Sequence, residues 1–306
     1  MAESPPNTSP TNAQTIIFMV VLSFVCALIL SLLASALAEP KEVAKDLDRS
    51  KQMMIAAKIL SPDGHFTLVD AEGQLIPAKY VGEGRLEPGS NQDVATQKQL
   101  LEVYERRLVP ILVDDKGEQT TFEKAGINFD EYVSNYKKSG YYKQPNKLLY
   151  KIMPNSAPDN KEAQPEGYVI PVNGFGLWDA IYGYLAIKPD GNTVIGISWY
   201  DQKETPGLGA NIAETPWQSM FPGKKIFLES PDGKTNLKVA PLGITVVKGK
   251  VSEVLGESVK SKSAVDGMAG ATLTGNGVND AYRDVLASYR PFLIKIHEES
   301  EKDKKS

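Results

Sequence analysis

The sequence predicts an α+β protein in which a single N-terminal transmembrane helix precedes a soluble domain, built on a mainly antiparallel twisted sheet with packed helices. Three observations support this fold class. A long apolar run without charges follows the N-terminus, several β-rich segments are joined by turn sequences, and an amphipathic helical pattern lies near the C-terminus. No period of about 20 to 50 residues repeats, which excludes a solenoid.

The N-terminal residues predict a tail and a membrane span. Residues 1–14 are rich in Pro, Ser, Thr and Asn, so we expect a disordered tail. The transmembrane helix is expected over residues 15–38, because this apolar run would reach roughly 34 Å at about 1.5 Å per residue, enough to cross a bilayer. A cleaved signal peptide is the alternative, since Ala36-Leu37-Ala38 resembles a cleavage site. The length of the run and the absence of Lys and Arg before it favour an uncleaved anchor.

The residues that follow the span do not decide its orientation. Residues 39–61 mix charged and apolar side chains and are expected to form a juxtamembrane helix or linker. Their basic residues weakly favour a cytoplasmic location for the soluble part. Acidic residues alternate with the basic ones and bring the net charge of this flank close to zero, so charge alone leaves the side of the membrane open.

Residues 62–150 are expected to form the N-terminal part of the soluble domain. The strands 66–69 and 74–76 flank Asp70-Ala71-Glu72-Gly73, a composition typical of a hairpin turn. A helix is expected near Thr96 to Arg107. The rest of residues 90–145 is charged and rich in tyrosine, and it predicts a variable surface region without site residues.

Residues 151–297 are expected to form the second part of the soluble domain. A strand from Tyr168 runs into a Gly-Phe-Gly turn, after which a helix is expected to start near Trp178. An amphipathic helix from Val278 is expected to stop near Pro291, and residues 298–306 read as a solvated polar tail. The remaining predicted strands are 184–187, 193–200, 225–228, 237–239, 244–247 and 251–254.

Composition excludes several classes of function. A net charge of -4 and a pI near 5.5 argue against nucleic acid as a partner. With one cysteine and two distant histidines, the sequence predicts no metal site and no internal disulfide. No sequence pattern typical of a nucleophile with its base is present, so we expect no catalytic side chain and expect a cofactor to carry any chemistry.

The stretch from Asp266 to Gly277 is small, flexible and rich in hydroxyl groups, and it opens onto the C-terminal helix. The first turn of a helix has N–H groups without partners and a partial positive charge, which makes a glycine-rich approach suitable for a phosphate. Thr272 and Thr274 stand at this position. The alternative is that Thr274 or Asn276 only caps the helix.

The segment Asp266-Gly267-Met268-Ala269-Gly270-Ala271-Thr272 resembles the flavinylation motif of the FMN-binding domain family. This family includes the C subunit of the Na+-translocating NADH:quinone reductase and the G subunit of the related Rnf complex. The resemblance implies that Thr272 carries FMN through a phosphoester bond made by a flavin transferase, with Asp266, Gly270 and Ala271 forming the motif around it. Ala269 departs from the pattern, because the family usually has Ser or Thr there.

Two further segments match the same family in the expected order, Gly176-Leu177-Trp178 and Glu204-Thr205-Pro206-Gly207-Leu208-Gly209. Glycines allow close approach to a flat ring, and leucine and tryptophan offer apolar faces. We expect Trp178 and Leu208 nearest the flavin ring, and Glu204 or Thr205 near its polar edge or ribityl chain. The alternative is that Trp178 belongs to the hydrophobic core. The expected cofactor-binding residues here are Gly176, Leu177, Trp178, Glu204, Thr205, Gly207, Leu208 and Gly209.

The resemblance implies a one-electron carrier in the quinone reductase, which oxidises NADH, reduces ubiquinone and exports Na+. The NADH, quinone and Na+ sites are expected on partner subunits. The resemblance further implies a single-pass protein of the bacterial inner membrane, with its soluble domain in the periplasm. Three alternatives remain open: a G-type subunit of the Rnf complex, a membrane-tethered binding module without redox chemistry, and a free-standing flavoprotein reductase.

Overall fold

The computed structural model of the chain describes residues 11–70 and 72–303, except for the side chains of residues 39, 40, 42 and 43. It divides into two units, Met1–Asp48 and Arg49–Ser306. The helices are α1 (Asn12–Ala36), α2 (Ala38–Ala56), α3 (Gln97–Arg107), α4 (Phe122–Ala125), α5 (Phe129–Tyr136), α6 (Thr215–Gln218), α7 (Val251–Val254) and α8 (Thr272–Asp303).

The strands build three sheets. A six-stranded sheet has the order β5-β4-β6-β7-β8-β9, with antiparallel neighbours throughout. The strands β1, β2 and β3 form an antiparallel sheet, and β10 pairs with β11 in parallel. The predicted α+β class with a mainly antiparallel sheet is confirmed. The strands are β1 (Phe66–Val69), β2 (Leu75–Gly82), β3 (Arg85–Pro88), β4 (Leu108–Val113), β5 (Gln119–Thr120), β6 (Lys147–Ile152), β7 (Gly167–Phe175), β8 (Ala180–Ile187), β9 (Val194–Asp201), β10 (Thr245–Val246) and β11 (Ala264–Val265).

The N-terminal unit contains α1, a helix of 25 residues that is long and apolar enough to cross a membrane. Thr11 caps it, because its hydroxyl accepts from the N–H of Gln14 while the Gln14 side chain accepts from the N–H of Thr11. The helix therefore includes residues 12–14, which were expected in the disordered tail. Residues 1–10 of that predicted tail lie outside the described residues.

Both faces of the six-stranded sheet are covered, and successive residues of a strand point to opposite faces. Tyr168, Ile170 and Val172 of β7 pack in one core with α8, whereas Val169 packs in the other core with α3. The core that contains α8 is called the α8 core below, and the other is called the α3 core. Pairing of β7 with β8 fixes this alternation over eight residue pairs, from Tyr168 with Ile187 to Phe175 with Ala180.

Several predicted elements differ from the structure. The region 90–145 contains the buried strand β4 in the six-stranded sheet, so it is not a surface region. No helix starts near Trp178, because residues 176–179 form a tight turn in which the Gly176 N–H donates to the Asp179 carbonyl at 2.9 Å. Segments 225–228 and 237–239 are irregular apart from isolated bridges, and 251–254 is the short helix α7.

The helix α8 does not stop at Pro291 but continues to Asp303, so it includes part of the predicted polar tail. A proline inside a helix costs about 3 kcal/mol, because it removes one hydrogen bond and clashes with the preceding turn. Phe292 and Leu293, which follow the proline, are fully buried in the α8 core. The burial of these side chains offsets the cost of the proline.

Candidate functional site

The two threonines at the start of α8 have opposite environments. Thr272 is the first residue of the helix and its side chain is exposed. Thr274 is 1% exposed, and its hydroxyl donates to Oε2 of Glu204 at 2.5 Å. The helix begins before Thr274 and Asn276, so neither of them is the cap that the alternative interpretation expected. Of the two hydroxyl groups, only that of Thr272 faces solvent.

The chain enters α8 through a sharp turn at Gly270. Its φ of 73° lies in the left-handed region that glycine adopts without steric cost. Ala271 is buried, and its carbonyl accepts from the N–H of Gly275 as the helix begins. The first N–H groups of a helix have no partner within the helix, and in α8 these groups belong to the turn that begins at Thr272.

Glu204 joins the three segments that the sequence singled out. Its Oε2 accepts from the Leu177 N–H at 3.1 Å and from the hydroxyl of Thr274, and its Oε1 accepts from the Trp178 N–H at 2.9 Å. The residue is 5% exposed. The three segments therefore meet at Glu204, which lies beneath the surface and faces the protein.

Two glycines make this packing possible. A Cβ added to Gly176 would collide with the carboxylate of Glu204, and one added to Gly209 would collide with the Thr274 hydroxyl. Gly209 is buried, whereas Gly207 is exposed in the left-handed region with a φ of 73°. Any larger side chain at Gly176 or Gly209 would separate the segments that Glu204 connects.

The ionisation of Glu204 follows from its contacts. Burial alone would raise the pKa of this carboxyl, but the hydroxyl of Thr274 and the N–H groups of Trp178 and Leu177 outweigh burial and hold the pKa below its usual value. No described Lys or Arg forms an ion pair with it. The site therefore contains a buried carboxylate that neutral donors hold in its charged form.

Apolar side chains cluster at the surface around these contacts. Trp178 is 68% exposed, Leu177 is 49% exposed and Leu208 is 41% exposed, so the interpretation of Trp178 as a core residue is wrong. Trp178 is also oriented, because its Nε1–H donates to the Thr205 hydroxyl at 3.0 Å. Leu208 lies beside Gly270, where an added Cβ would come within 2.9 Å of its Cδ2. These side chains form an apolar surface next to Gly270, in the segment 266–272.

A pocket of ≈ 430 Å³ is lined by the segment 266–272 and the start of α8. Asp266 supports its wall, because its Oδ1 accepts from the Val251 N–H at 2.8 Å and its carbonyl accepts from the Trp217 Nε1–H at 3.0 Å. Two lysines bring positive charge to the pocket. The lining residues are Val246, Val247, Lys248, Gly249, Lys250, Asp266, Gly267, Met268, Ala269, Gly270, Ala271, Thr272, Gly275 and Asn276.

Comparison with known proteins assigns the family. Residues 176–287 match the FMN-binding domain family. The chain is 40% identical to the C subunit of the Na(+)-translocating NADH-quinone reductase of Chlamydia caviae, over 99% of this chain and 98% of that protein. The chain belongs to the family of C subunits of Na(+)-translocating NADH-quinone reductases. The C subunit from Pasteurella multocida is 30% identical, over 92% of this chain and 93% of that protein.

A solved member of this family shares the fold. The crystal structure of the C subunit of the Na(+)-translocating NADH-quinone reductase from Parabacteroides distasonis matches with a TM-score of 0.51 and 23% identity, covering 84% of this chain and 96% of that chain. The family assignment confirms the resemblance found in the motifs. It also sets aside the G subunit of the Rnf complex and the free-standing reductase, because the relatives are named as the C subunit of a quinone reductase.

Sequence reasoning missed two features of the site. Lys248 and Lys250 line the pocket, but two lysines around a glycine are common on protein surfaces and gave no signal. The bond between Thr274 and Glu204 joins residues 70 positions apart, so no local pattern could indicate it. Both features depend on how the segments fold together.

Proposed function

We propose that Thr272 carries FMN through a phosphoester bond, and that the chain relays electrons one at a time between partner subunits of the Na+-translocating NADH:quinone reductase. The observation that carries the proposal is the contrast between the exposed hydroxyl of Thr272 and the buried, hydrogen-bonded hydroxyl of Thr274. Ester formation replaces the hydroxyl hydrogen of Thr272 with the flavin phosphoryl group. The donor would be a flavin phosphoanhydride. The Thr272 oxygen would form the new bond to the flavin phosphorus while the anhydride P–O bond breaks, the departing phosphate group would take up the hydroxyl proton, and a flavin transferase would catalyse this step during maturation.

The residues around Thr272 fit both ends of FMN. The N-terminus of α8 and the lysines of the pocket, Lys248 and Lys250, favour a phosphoryl group by charge. Leu177, Trp178 and Leu208 offer the apolar surface that a flavin ring requires. FMN, when bound, supplies reversible electron transfer, and the protein supplies its position and surroundings.

The family supports the role within the complex. Relatives of this chain are named as subunits of a reductase that uses NADH and quinone and moves Na+. We assign the NADH, ubiquinone and Na+ sites to partner subunits, and electron transfer to this one. The apolar helix α1 would hold the chain in the bacterial inner membrane, with the soluble domain in the periplasm.

Denaturing electrophoresis under ultraviolet light tests the covalent bond, because only a covalently attached flavin stays with the denatured chain. We expect a fluorescent band for the wild type and for Thr274→Val, and none for Thr272→Leu. Peptide mass mapping should find the added mass on Thr272. A band that survives in Thr272→Leu would move the acceptor elsewhere. A wild-type protein without flavin, produced with the transferase, would instead favour a binding module without redox chemistry.

Cysteine labelling tests the orientation. The chain has one cysteine, Cys26, within α1. In a Cys26→Ser background, Lys234→Cys would place a thiol on an exposed residue of the soluble domain. We expect a membrane-impermeant maleimide to label this thiol in intact spheroplasts. Labelling only after the membrane is broken would place the domain in the cytoplasm.

A further inference from the structure

Contact with a flavin would not account for the hydrogen bonds that the Glu204 carboxylate makes within the protein. Both of its carboxylate oxygens are already used by protein donors, since Oε1 accepts from Trp178 and Oε2 accepts from Leu177 and Thr274. The residue is 5% exposed, so it offers little surface to any ligand. A buried carboxylate without a neighbouring cation is costly unless its hydrogen bonds compensate. The three hydrogen bonds supply this compensation, and they connect Glu204 to two separate segments of the protein.

We propose that Glu204 is a positioning residue whose carboxylate ties the start of α8 to the turn 176–179, so that the apolar ring surface stands at a fixed place relative to Thr272. The link through Thr274 holds α8, and the links through the two N–H groups hold the turn. This inference rests on the proposed function for its meaning. The connection itself consists of protein groups alone and therefore forms before any cofactor is attached.

The hydrogen bond between Glu204 and Thr274 also determines which threonine can be modified. The hydroxyl of Thr274 is bonded to Glu204 and lies 1% exposed, so it is not accessible for modification. Thr272 is two residues earlier and its side chain is exposed. Glu204 thus determines which of two nearby hydroxyl groups remains accessible, in addition to holding the ring surface.

The chemistry requires a carboxylate at this position. The partners of Glu204 include one backbone N–H at each oxygen, and a backbone N–H can only donate. In Glu204→Gln one oxygen becomes an NH2 group, which also donates. Whichever way the amide is turned, the N–H of either Leu177 or Trp178 faces another donor and loses its hydrogen bond.

Two measurements on the full chain in detergent test this inference. The first is amide hydrogen exchange at Leu177 and Trp178 in protein made without the flavin transferase. The second is fluorescence anisotropy and visible circular dichroism of flavin in the flavin-bearing protein. Asp201→Asn is the matched control, because Asp201 is an exposed carboxylate three residues before Glu204 and none of the hydrogen bonds at the site involves it.

In Glu204→Gln we expect exchange at Leu177 or Trp178 to accelerate about tenfold or more, since a lost hydrogen bond of about 1.4 kcal/mol corresponds to a factor of ten. Its flavin should remain covalently attached but show lower anisotropy and a weaker visible dichroism signal. Thr274→Val should keep the protected amides, since the turn stays bonded to Glu204, yet also lose anisotropy because the link to α8 is gone. Asp201→Asn should match the wild type in both measurements.

The outcomes separate the inference from the proposed function. A folded Glu204→Gln with wild-type exchange and wild-type anisotropy would overturn the positioning role. If that variant does not fold, Thr274→Val decides, because unchanged anisotropy there would overturn the role as well. A wild type without covalent flavin would contradict the proposed function, while the exchange measurement would still decide whether Glu204 holds the turn.

Discussion

Buried side chains cover both faces of the six-stranded sheet, but the two faces use polar groups differently. The α8 core joins the helix that begins at Thr272 to the sheet, and the buried carboxylate of Glu204 near the start of that helix is held by neutral donors. The opposite face contains stacked tyrosines and the buried Arg107, which pairs with Glu166 at 2.6 Å. On the α3 side these polar groups join parts of the core, whereas the hydrogen bonds of Glu204 join the segments of the candidate site.

The largest expected effects come from removing matched leucines on the two faces. Leu286 of α8 and Leu112 of β4 are both fully buried, one in each core. We expect Leu286→Ala and Leu112→Ala to lower the free energy of unfolding by about 2–5 kcal/mol each. Denaturant unfolding of the full chain in detergent measures this, with Val239→Ala as an exposed control. A loss at only one position would show that the two cores are not equally packed.

A smaller effect is expected at the buried ion pair on the α3 side. The Arg107 side chain is 3% exposed, and it also donates to the Met153 carbonyl at 3.0 Å. Glu166→Gln leaves the guanidinium without its negative partner. Because the Glu166 side chain is 49% exposed, water can replace part of the interaction, and we expect a loss of about 1–3 kcal/mol.

The control for this pair is Glu229→Gln, which removes the partner of the exposed Lys262 and should cost less than about 1 kcal/mol. Under the proposed function, the amount of covalent flavin and its fluorescence anisotropy should stay unchanged in Glu166→Gln. If flavin anisotropy changed in folded Glu166→Gln, the polar groups of the α3 side would also affect the candidate site, and the contrast between the two faces would be wrong.

The tyrosines of the α3 side predict a dependence on alkaline pH. Tyr184 and Tyr200 stack with ring centroids 5.1 Å apart, and burial raises the pKa of Tyr200 to about 12. The unfolded chain then loses this proton first, near pH 10, so the stability contribution present below about pH 10 is lost as the pH rises to about 12. Tyr200→Phe keeps the stacked ring and removes only the ionisable hydroxyl, so it should lower the free energy of unfolding at pH 7 by about 1 kcal/mol or less.

Unfolding at pH 7, 9 and 11 measures this dependence. The difference in free energy between wild type and Tyr200→Phe should be constant from about pH 7 to 9 and should narrow above about pH 10. A constant difference up to about pH 12 would mean that Tyr200 has an ordinary pKa in the folded state.

The smallest effect on stability is expected on the apolar surface of the site. Leu208 is 41% exposed, so Leu208→Asp should change the free energy of unfolding by less than about 0.5 kcal/mol. Under the proposed function, the new anion should lower the flavin midpoint potential, because it destabilises the negatively charged reduced flavin. Val239→Asp, at another exposed position, is the control. An unchanged potential in folded, flavin-bearing Leu208→Asp would show that this loop does not form the ring surface.

Sequence patterns correctly predicted the elements that are determined by interactions between residues close in the sequence. The predicted pairing of strands 66–69 and 74–76 is confirmed in β1 and β2, and the predicted pair 184–187 and 193–200 forms β8 and β9. The helix at Thr96 is confirmed with Thr96 as its cap. Each of these elements is set by turn chemistry, capping or alternation within a few residues.

The predictions failed for elements that are determined by contacts between residues far apart in the sequence. The strand β4 is a short apolar run and β6 contains two lysines, and both lie in charged surroundings. Their pairing with each other over six residue pairs stabilises both as strands. Segment 251–254 begins and ends with valine, which favours strands, but Asp266 accepts from its first N–H and the segment folds as one helical turn. The motifs identified the three segments of the candidate site, whereas the carboxylate that joins them could be recognised only in three dimensions.

The turn 176–179 limits how the length of the chain can vary. It connects β7 to β8, whose register runs unbroken over eight residue pairs up to Phe175 and Ala180. Deleting or inserting one residue there would slip that register and exchange the two faces of a strand, moving Ile170 from the α8 core to the α3 core. The irregular stretch 229–241 contains no strand, so no strand register depends on its length. We therefore expect the fold to tolerate insertions in that stretch but not in the turn 176–179.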